Sequence, residues 1–391
     1  MRFNSPKSPL FVLFLAAPLV LGNPTARATE VFSPKPETVA LAQTAQERND
    51  EAYRLFQQGL DRSRVGQTQE AIAFWESALE IYREIGNVLG EANTLGNLGN
   101  AYHSLAQHEQ AINFFKQSIT RFEEIGNLAG KANSLNGLGI AYRHLGQHES
   151  AIDILGQSLA IARELDDIFG QVSVLANLGN VYTQLEQYER AIEFYEQSLA
   201  IAQQIDDPLQ VANILTNVSY AYTQLEQYDR AIEFYERASA IAWELYDLEE
   251  QAQVLDGMAT SYHHLEQYER AIEFYDRALD LTRQMGNTFA QVRTLNNLGR
   301  AYNSLERYER AVAFYERALA LEGEVRDARL RIPTLLGLSQ AYANLGNKTQ
   351  TVEYLEQLLT LAGELDNSQL EADVRELLAL IHNTSGKGVE P

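Results

Sequence analysis

The sequence predicts an all-α chain, an α-solenoid of eight helical hairpins closed by a C-terminal capping helix. Three observations predict it. Similar residues recur every forty positions from 46 to 365 without insertion or deletion, as in the column Leu95, Leu135, Leu175, Leu215, Leu255, Leu295 and Leu335. Within each period, two apolar series have helical spacing and are separated by a short polar turn. A last partial period, EADVRELLALIHN at 371–383, begins where another first helix belongs and has no second helix after it, as expected of a terminal cap.

Read in order, residues 1–28 differ from everything after them. Arg2 and Lys7 precede an apolar stretch from Leu10 to Leu21, no acidic residue occurs before Glu30, and Ala26-Arg27-Ala28 places small residues where a signal peptidase reads. The expectation is an export signal cut after Ala28. The apolar stretch is short for a bilayer and Pro18 interrupts it, which argues against a retained anchor. Residues 29–45 mix Pro, Thr and Gln without a sustained apolar stripe and are expected to be a flexible lead-in.

In the repeats, Leu95, Leu98, Tyr102 and Leu105 fall on one side of a first helix, called A. Gly99, Gly139, Gly179 and Gly299, with Ser219, Ala259 and Ser339, form a small-residue column that lets a neighbouring helix approach closely. Ala111, Ile112, Phe115, Ser118 and Ile119 define a second helix, B. The three residues between them, such as Ala106-Gln107-His108, leave room only for a tight turn, so A and B run antiparallel. Between B and the next A, Gly126 and Gly286 act as helix stops, Asp207 as an N-cap and Pro208 as a first helical residue. Each hairpin carries apolar residues on more than one face and buries them by stacking. Two irregularities stand near the ends: Arg62 replaces the expected Tyr, and Pro333 falls inside a helix A. The cap is expected over 366–384 and a disordered tail over 385–391.

The order Gly99, Ala101-Tyr102, Leu105, Ala111, Phe115, Ser118 resembles the tetratricopeptide repeat in a forty-residue form, over about 320 of the 391 residues. The resemblance implies a right-handed superhelix, and it implies that the side of helix A opposite its core lines a concave groove. In this sequence that side holds Asn93, Asn97, Asn100 and Ser104, then Asn177, Asn180 and Gln184, then Asn213, Asn217 and Gln224, then Arg293, Asn297, Arg300 and Ser304. Asparagine costs a helix about half a kcal/mol relative to alanine, so its recurrence on one stripe calls for a reason. A carboxamide both donates and accepts, which suits the backbone of an extended peptide. The alternative is that these amides bond across adjacent helices or face water. A carboxylate clamp built from Lys or Arg on successive repeats is not reproduced, because Arg293 and Arg300 lie in one period.

Composition narrows the function. Cleavage after Ala28 removes three of the 31 basic residues, leaving 28 against 53 acidic residues, a balance of −25. That charge disfavours nucleic acid and anionic membrane surfaces and favours a basic or neutral ligand. Cysteine is absent, so neither disulfides nor a lipid-bearing cysteine are available, and export without disulfides fits a bacterial periplasm or the extracellular space. His108 and His148 share a column and His144 lies four before His148, but Tyr188, Tyr228, Tyr268 and Tyr308 fill the same column and no Cys or fixed carboxylate joins them, so no metal site is expected; TSGKG at 384–388 lacks the strand and spacing of a phosphate loop. No nucleophile and base are set together, so no enzyme and no cofactor are expected. The expected function is a non-enzymatic scaffold that binds a peptide or protein segment in its Asn-lined groove. The alternatives are a structural protein that self-associates, and a sensor whose output module lies on another chain.

Overall fold

The computed structural model describes residues 36–323 and 328–385. The expected export signal lies outside these residues, as do positions 29–35 and 386–391. Two kinds of helix alternate. The A helices are α1 (Pro36–Arg64), α3 (Val88–Ser104), α5 (Leu128–His144), α7 (Ile168–Gln184), α9 (Pro208–Gln224), α11 (Leu248–His264), α13 (Thr288–Ser304) and α15 (Arg331–Asn344). The B helices are α2 (Thr68–Ile85), α4 (His108–Glu124), α6 (His148–Glu164), α8 (Tyr188–Gln204), α10 (Tyr228–Glu244), α12 (Tyr268–Gln284), α14 (Tyr308–Glu322) and α16 (Lys348–Glu364). A last helix, α17 (Ser368–Ser385), follows, and no strand occurs among the described residues. The fold is an all-α repeat solenoid. Helix α1 reaches back to Pro36, inside the stretch in which the sequence shows no sustained apolar stripe.

The helices group into two compact units, one ending at Ile201 and one beginning at Ala202. In the first, α4 packs on α3 and on α5, and α6 packs on α5 and on α7; in the second, α10, α12 and α14 likewise bridge their own and the following A helix. Consecutive A helices also touch, α3 with α5 and α5 with α7 in the first unit, α9 with α11, α11 with α13 and α13 with α15 in the second. No comparable pairing joins consecutive B helices among the described residues. Within each unit the A helices therefore line the inner side.

The small-residue column and an aromatic column make this bridging possible. Phe115 of α4 is buried, and a Cβ built on Gly99 of α3 or on Gly137 of α5 would stand 2.7 or 2.5 Å from its ring. Tyr315 of α14 is held in the same way between Gly299 and Gly337. One ring thus fills the space left by two missing side chains, one in its own hairpin and one in the next. A second aromatic layer stacks Tyr182 on Phe194 at 5.2 Å and Tyr302 on Phe314 at 5.1 Å. In the second unit arginines close both ends of such stacks, as Arg270 over Tyr262 and Arg277 over Phe274. In the first unit the hydroxyls of Ser118, Ser158 and Ser198 donate to the A-helix carbonyls of Ala92, Ala132 and Val172 at 2.8–2.9 Å, fastening each hairpin.

The turns between hairpins follow from two residues. The first takes a left-handed conformation, as Gly126 and Gly286 do at φ 65° and 66°. The second caps the next A helix: Asn127 Oδ1 accepts from Gly130 N at 2.9 Å, and Asp207 Oδ1 accepts from Gln210 N at 3.1 Å with Pro208 in the first turn. Tyr246 occupies the left-handed position at φ 55° with 86% of its surface exposed, a conformation that crowds any side chain with a Cβ. Pro333 is accommodated because the short 3-10 turn Ala328–Leu330 takes over the start of α15. The proline then lies third in the helix, where its missing N–H is not needed.

Candidate functional site

The inner stripe of A-helix residues divides by what each side chain already does. In α3, Asn93 and Asn97 are buried; Asn97 Nδ2 donates to the Asn93 carbonyl at 3.0 Å, and Asn100 is half-buried. In α7, Asn177 Nδ2 donates across to Asn136 Oδ1 of α5 at 2.9 Å, and Asn180 Oδ1 accepts from the Tyr195 hydroxyl at 2.7 Å. Asn213 and Asn217 of α9 are half-buried and make no side-chain hydrogen bond among the described residues. In α13, Asn297 Nδ2 donates to Asp256 Oδ1 of α11 at 3.3 Å, and Arg300 donates to Asn297 Oδ1 at 3.4 Å. Bonds between neighbouring A helices thus use part of the stripe, and Asn213 and Asn217 keep both amide functions available.

Where the stripe meets α9, α11 and α13 there is a cavity of about 570 Å³. The structure brings Asn217 and Arg293 to it, together with Thr216, Tyr220, Asp256 and Phe289. Tyr220 and Phe289 present apolar ring surface, each with 47% of the residue exposed. The carboxylate of Asp256, whose side chain is only 13% exposed, faces Arg293 Nη2 at 3.6 Å and accepts from Thr294 Oγ1 at 3.3 Å. Burial raises its pKa above the usual carboxylate range, and the charge of Arg293 with the bonds from Asn297 and Thr294 only partly offsets this. Glu250 nearby is also raised by burial, while a hydrogen bond from Thr216 opposes the shift. Mixed apolar walls with a few converging polar groups are the usual make-up of a ligand pocket.

The sequence reading missed Asp256. It sits in the column of Gly96, Asn136, Ala176, Thr216 and Asn296, where no single residue type prevails, so a search for repeated residues passes over it. A signal was present, since Asp256 is the single acidic residue beyond the first turn in A helices α3 to α15.

Away from the cavity, His103, His108 and His144 gather where the α3–α4 and α5–α6 hairpins adjoin. Their ring centroids lie 4.9–5.0 Å apart, and the Nδ1 atoms of His103 and His108 are 3.2 Å from each other. Among the described residues no group of three or more His, Cys, Asp or Glu is arranged to hold a metal ion. Burial lowers His103 to about 4, followed by repulsion from His144, His108 and Arg143; burial and the charges of Arg143 and His108 lower His144 to about 4. The unfolded chain then binds more protons than the folded one between roughly pH 4 and 6.5, so these two residues make stability fall as pH drops through that window. The raised carboxyls of Glu250 and Asp256 act with the opposite sign. A His103→Gln variant is expected to lose less of its melting temperature than the parent on going from about pH 7 to about pH 5. An equal loss in both proteins would contradict this.

Comparison with known proteins agrees with this architecture. Tetratricopeptide repeat family models match residues 59–124, 118–164, 171–242, 250–321 and 332–364. No curated protein matches the chain. Among solved structures, it is similar to a signal transduction ATPase with numerous domains and a tetratricopeptide repeat sensor from Pyrococcus horikoshii, with 16% identity and a TM-score of 0.63; the match covers 86% of this chain and 50% of that one. The apo form of RapI aligns at 15% identity over 88% of this chain and 99% of its own, with a TM-score of 0.57. A Rap protein complexed with competence and sporulation factor aligns at 18% identity over 75% and 82%, with a TM-score of 0.54. Among the described residues, no helix is long and apolar enough to cross a membrane.

Proposed function

Since the chain belongs to the tetratricopeptide repeat family, we propose that it is a non-enzymatic scaffold that holds a peptide or protein segment against the polar inner face of its A helices. In the second unit the contacts are Asn213, Asn217, Arg293, Asn297 and Arg300; in the first unit, taken by itself, the same stripe offers Asn100, Asn177 and Asn180. The observation that carries the reading is the coincidence of this stripe with the cavity among α9, α11 and α13. Its walls combine exposed rings, the amide of Asn217 and charges, and the bond from Asn297 to Asp256 holds that carboxyl in place before a ligand arrives. Two relatives support it: one is a repeat sensor, the other was solved with competence and sporulation factor.

The test is an affinity capture with the full chain as bait and identification of the bound protein by mass spectrometry. The combined Asn213→Ala and Asn217→Ala variant is expected to bind the captured partner about tenfold more weakly, at two lost hydrogen bonds of about 0.5–1.5 kcal/mol each, with an unchanged melting temperature. Equal binding by parent and variant would count against the groove.

Export into a bacterial periplasm or the extracellular space is part of the same proposal, resting on the charge and apolar pattern of residues 1–28. Sequencing the natural protein from its N-terminus is expected to begin at Thr29; a cytosolic product that keeps Met1 would contradict export.

A further inference from the structure

Asp256 is a buried carboxyl group with unused acceptor capacity. Its two bonds through Oδ1, from Thr294 and Asn297, are both 3.3 Å long, and Oδ2 has only Arg293 Nη2 at 3.6 Å. Charge-assisted N–H···O contacts close to about 2.7–2.9 Å when geometry allows. A carboxylate largely withdrawn from water and contacted only at long range gains more than an exposed one from a well-placed donor. Arg293 is a loose counterion: 48% of its side chain is exposed, so its guanidinium can turn into solvent when another cation takes its place beside Asp256. Tyr220 and Phe289, on the two helices flanking α11, line the same cavity and offer apolar wall to an aliphatic stem and ring faces to a cation. The charges agree in sign. Glu249 also lines the cavity, Glu250 hydrogen-bonds the lining Thr216, and the chain as a whole carries a formal charge of −22.

We propose that the cavity takes the cationic head of an arginine or lysine side chain of the bound peptide, which replaces Arg293 as the partner of Asp256 Oδ2. The inference rests on the scaffold reading above and adds the chemistry of one subsite. It makes Arg293 a competitor of the ligand, so Asp256 and Arg293 have opposite effects on binding.

The experiment selects binders to the full chain from a phage-displayed library of random dodecapeptides, then measures the selected peptides by fluorescence anisotropy at two salt concentrations. Selected sequences are expected to share a basic residue at one fixed position. Replacing that residue by citrulline, or Asp256 by Asn, weakens binding about tenfold or more, and the two changes together cost little more than either alone. Arg293→Gln, at a half-exposed side chain, is expected to tighten binding several-fold, because the competing cation is gone. Binders without a basic residue, binders whose acidic residue depends on Arg293, or unchanged affinity for Asp256→Asn would overturn the subsite while leaving the scaffold standing. A library that yields no binder to the full chain would contradict both.

Discussion

Phe115→Ala is expected to destabilise the first unit by about 3–5 kcal/mol, read as a lower urea midpoint for loss of helical signal. The size follows from where the ring sits. Phe115 is 1% exposed, and it fills the gap between α3 and α5 left by Gly99 and Gly137. Removing it empties contacts on both sides of α4, and neither glycine can fill the void. Repeat arrays are stabilised by coupling between neighbouring modules, so the loss also uncouples the second hairpin from the third. The unfolding transition is then expected to broaden, as local segments melt separately. A midpoint within error of the parent would mean that the ring does not hold the two hairpins together.

Gly137→Val is the reciprocal test and is expected to cost about 1–3 kcal/mol. A Cβ at this position would meet Phe115 Cε1 and Cζ at 2.5 Å, and the ring is too enclosed to move aside. The informative result is the double mutant. With Phe115 already reduced to alanine, the valine enters the vacated volume, and its cost is expected to shrink or change sign. That non-additivity identifies direct contact between the third helix A and the second helix B. Additive costs would show that the two sites act independently, against the clamp described here.

The forty-residue period, the antiparallel hairpins and their caps were legible because each depends on short-range rules. A glycine or aspartate before an Asn or Asp cap, as in Gly126-Asn127 and Asp206-Asp207, specifies a left-handed residue and then a helix start within a few positions. The close approach behind Gly99, Gly139, Gly179 and Gly299 was also readable, since that column holds only glycine, alanine and serine.

For the candidate site, helical spacing gives a shared side of each A helix but not the bonding of its residues. Helical spacing shows that residues 93, 97 and 100 share a side of one helix, yet it does not say how the next helix is turned against it. The structure shows that Asn177 reaches back to Asn136, and Asn297 to Asp256, whereas Gly137, in the same column as both, abuts Phe115 of the preceding hairpin. One column therefore holds residues that bond between A helices and residues at the interface between hairpins, and a single period contains no information about that shared boundary. Asp256 escaped notice for a related reason: repeats advertise what they share, whereas recognition of a particular ligand depends on residues in which one repeat differs from the rest.

Hydrogen–deuterium exchange on the full chain, with and without a saturating selected peptide, tests the groove most directly. Slowed amide exchange in α9, α11 and α13, the helices that surround the cavity, is the result the account predicts. Protection confined to α10, α12 and α14, or no protection in this unit at all, would contradict it.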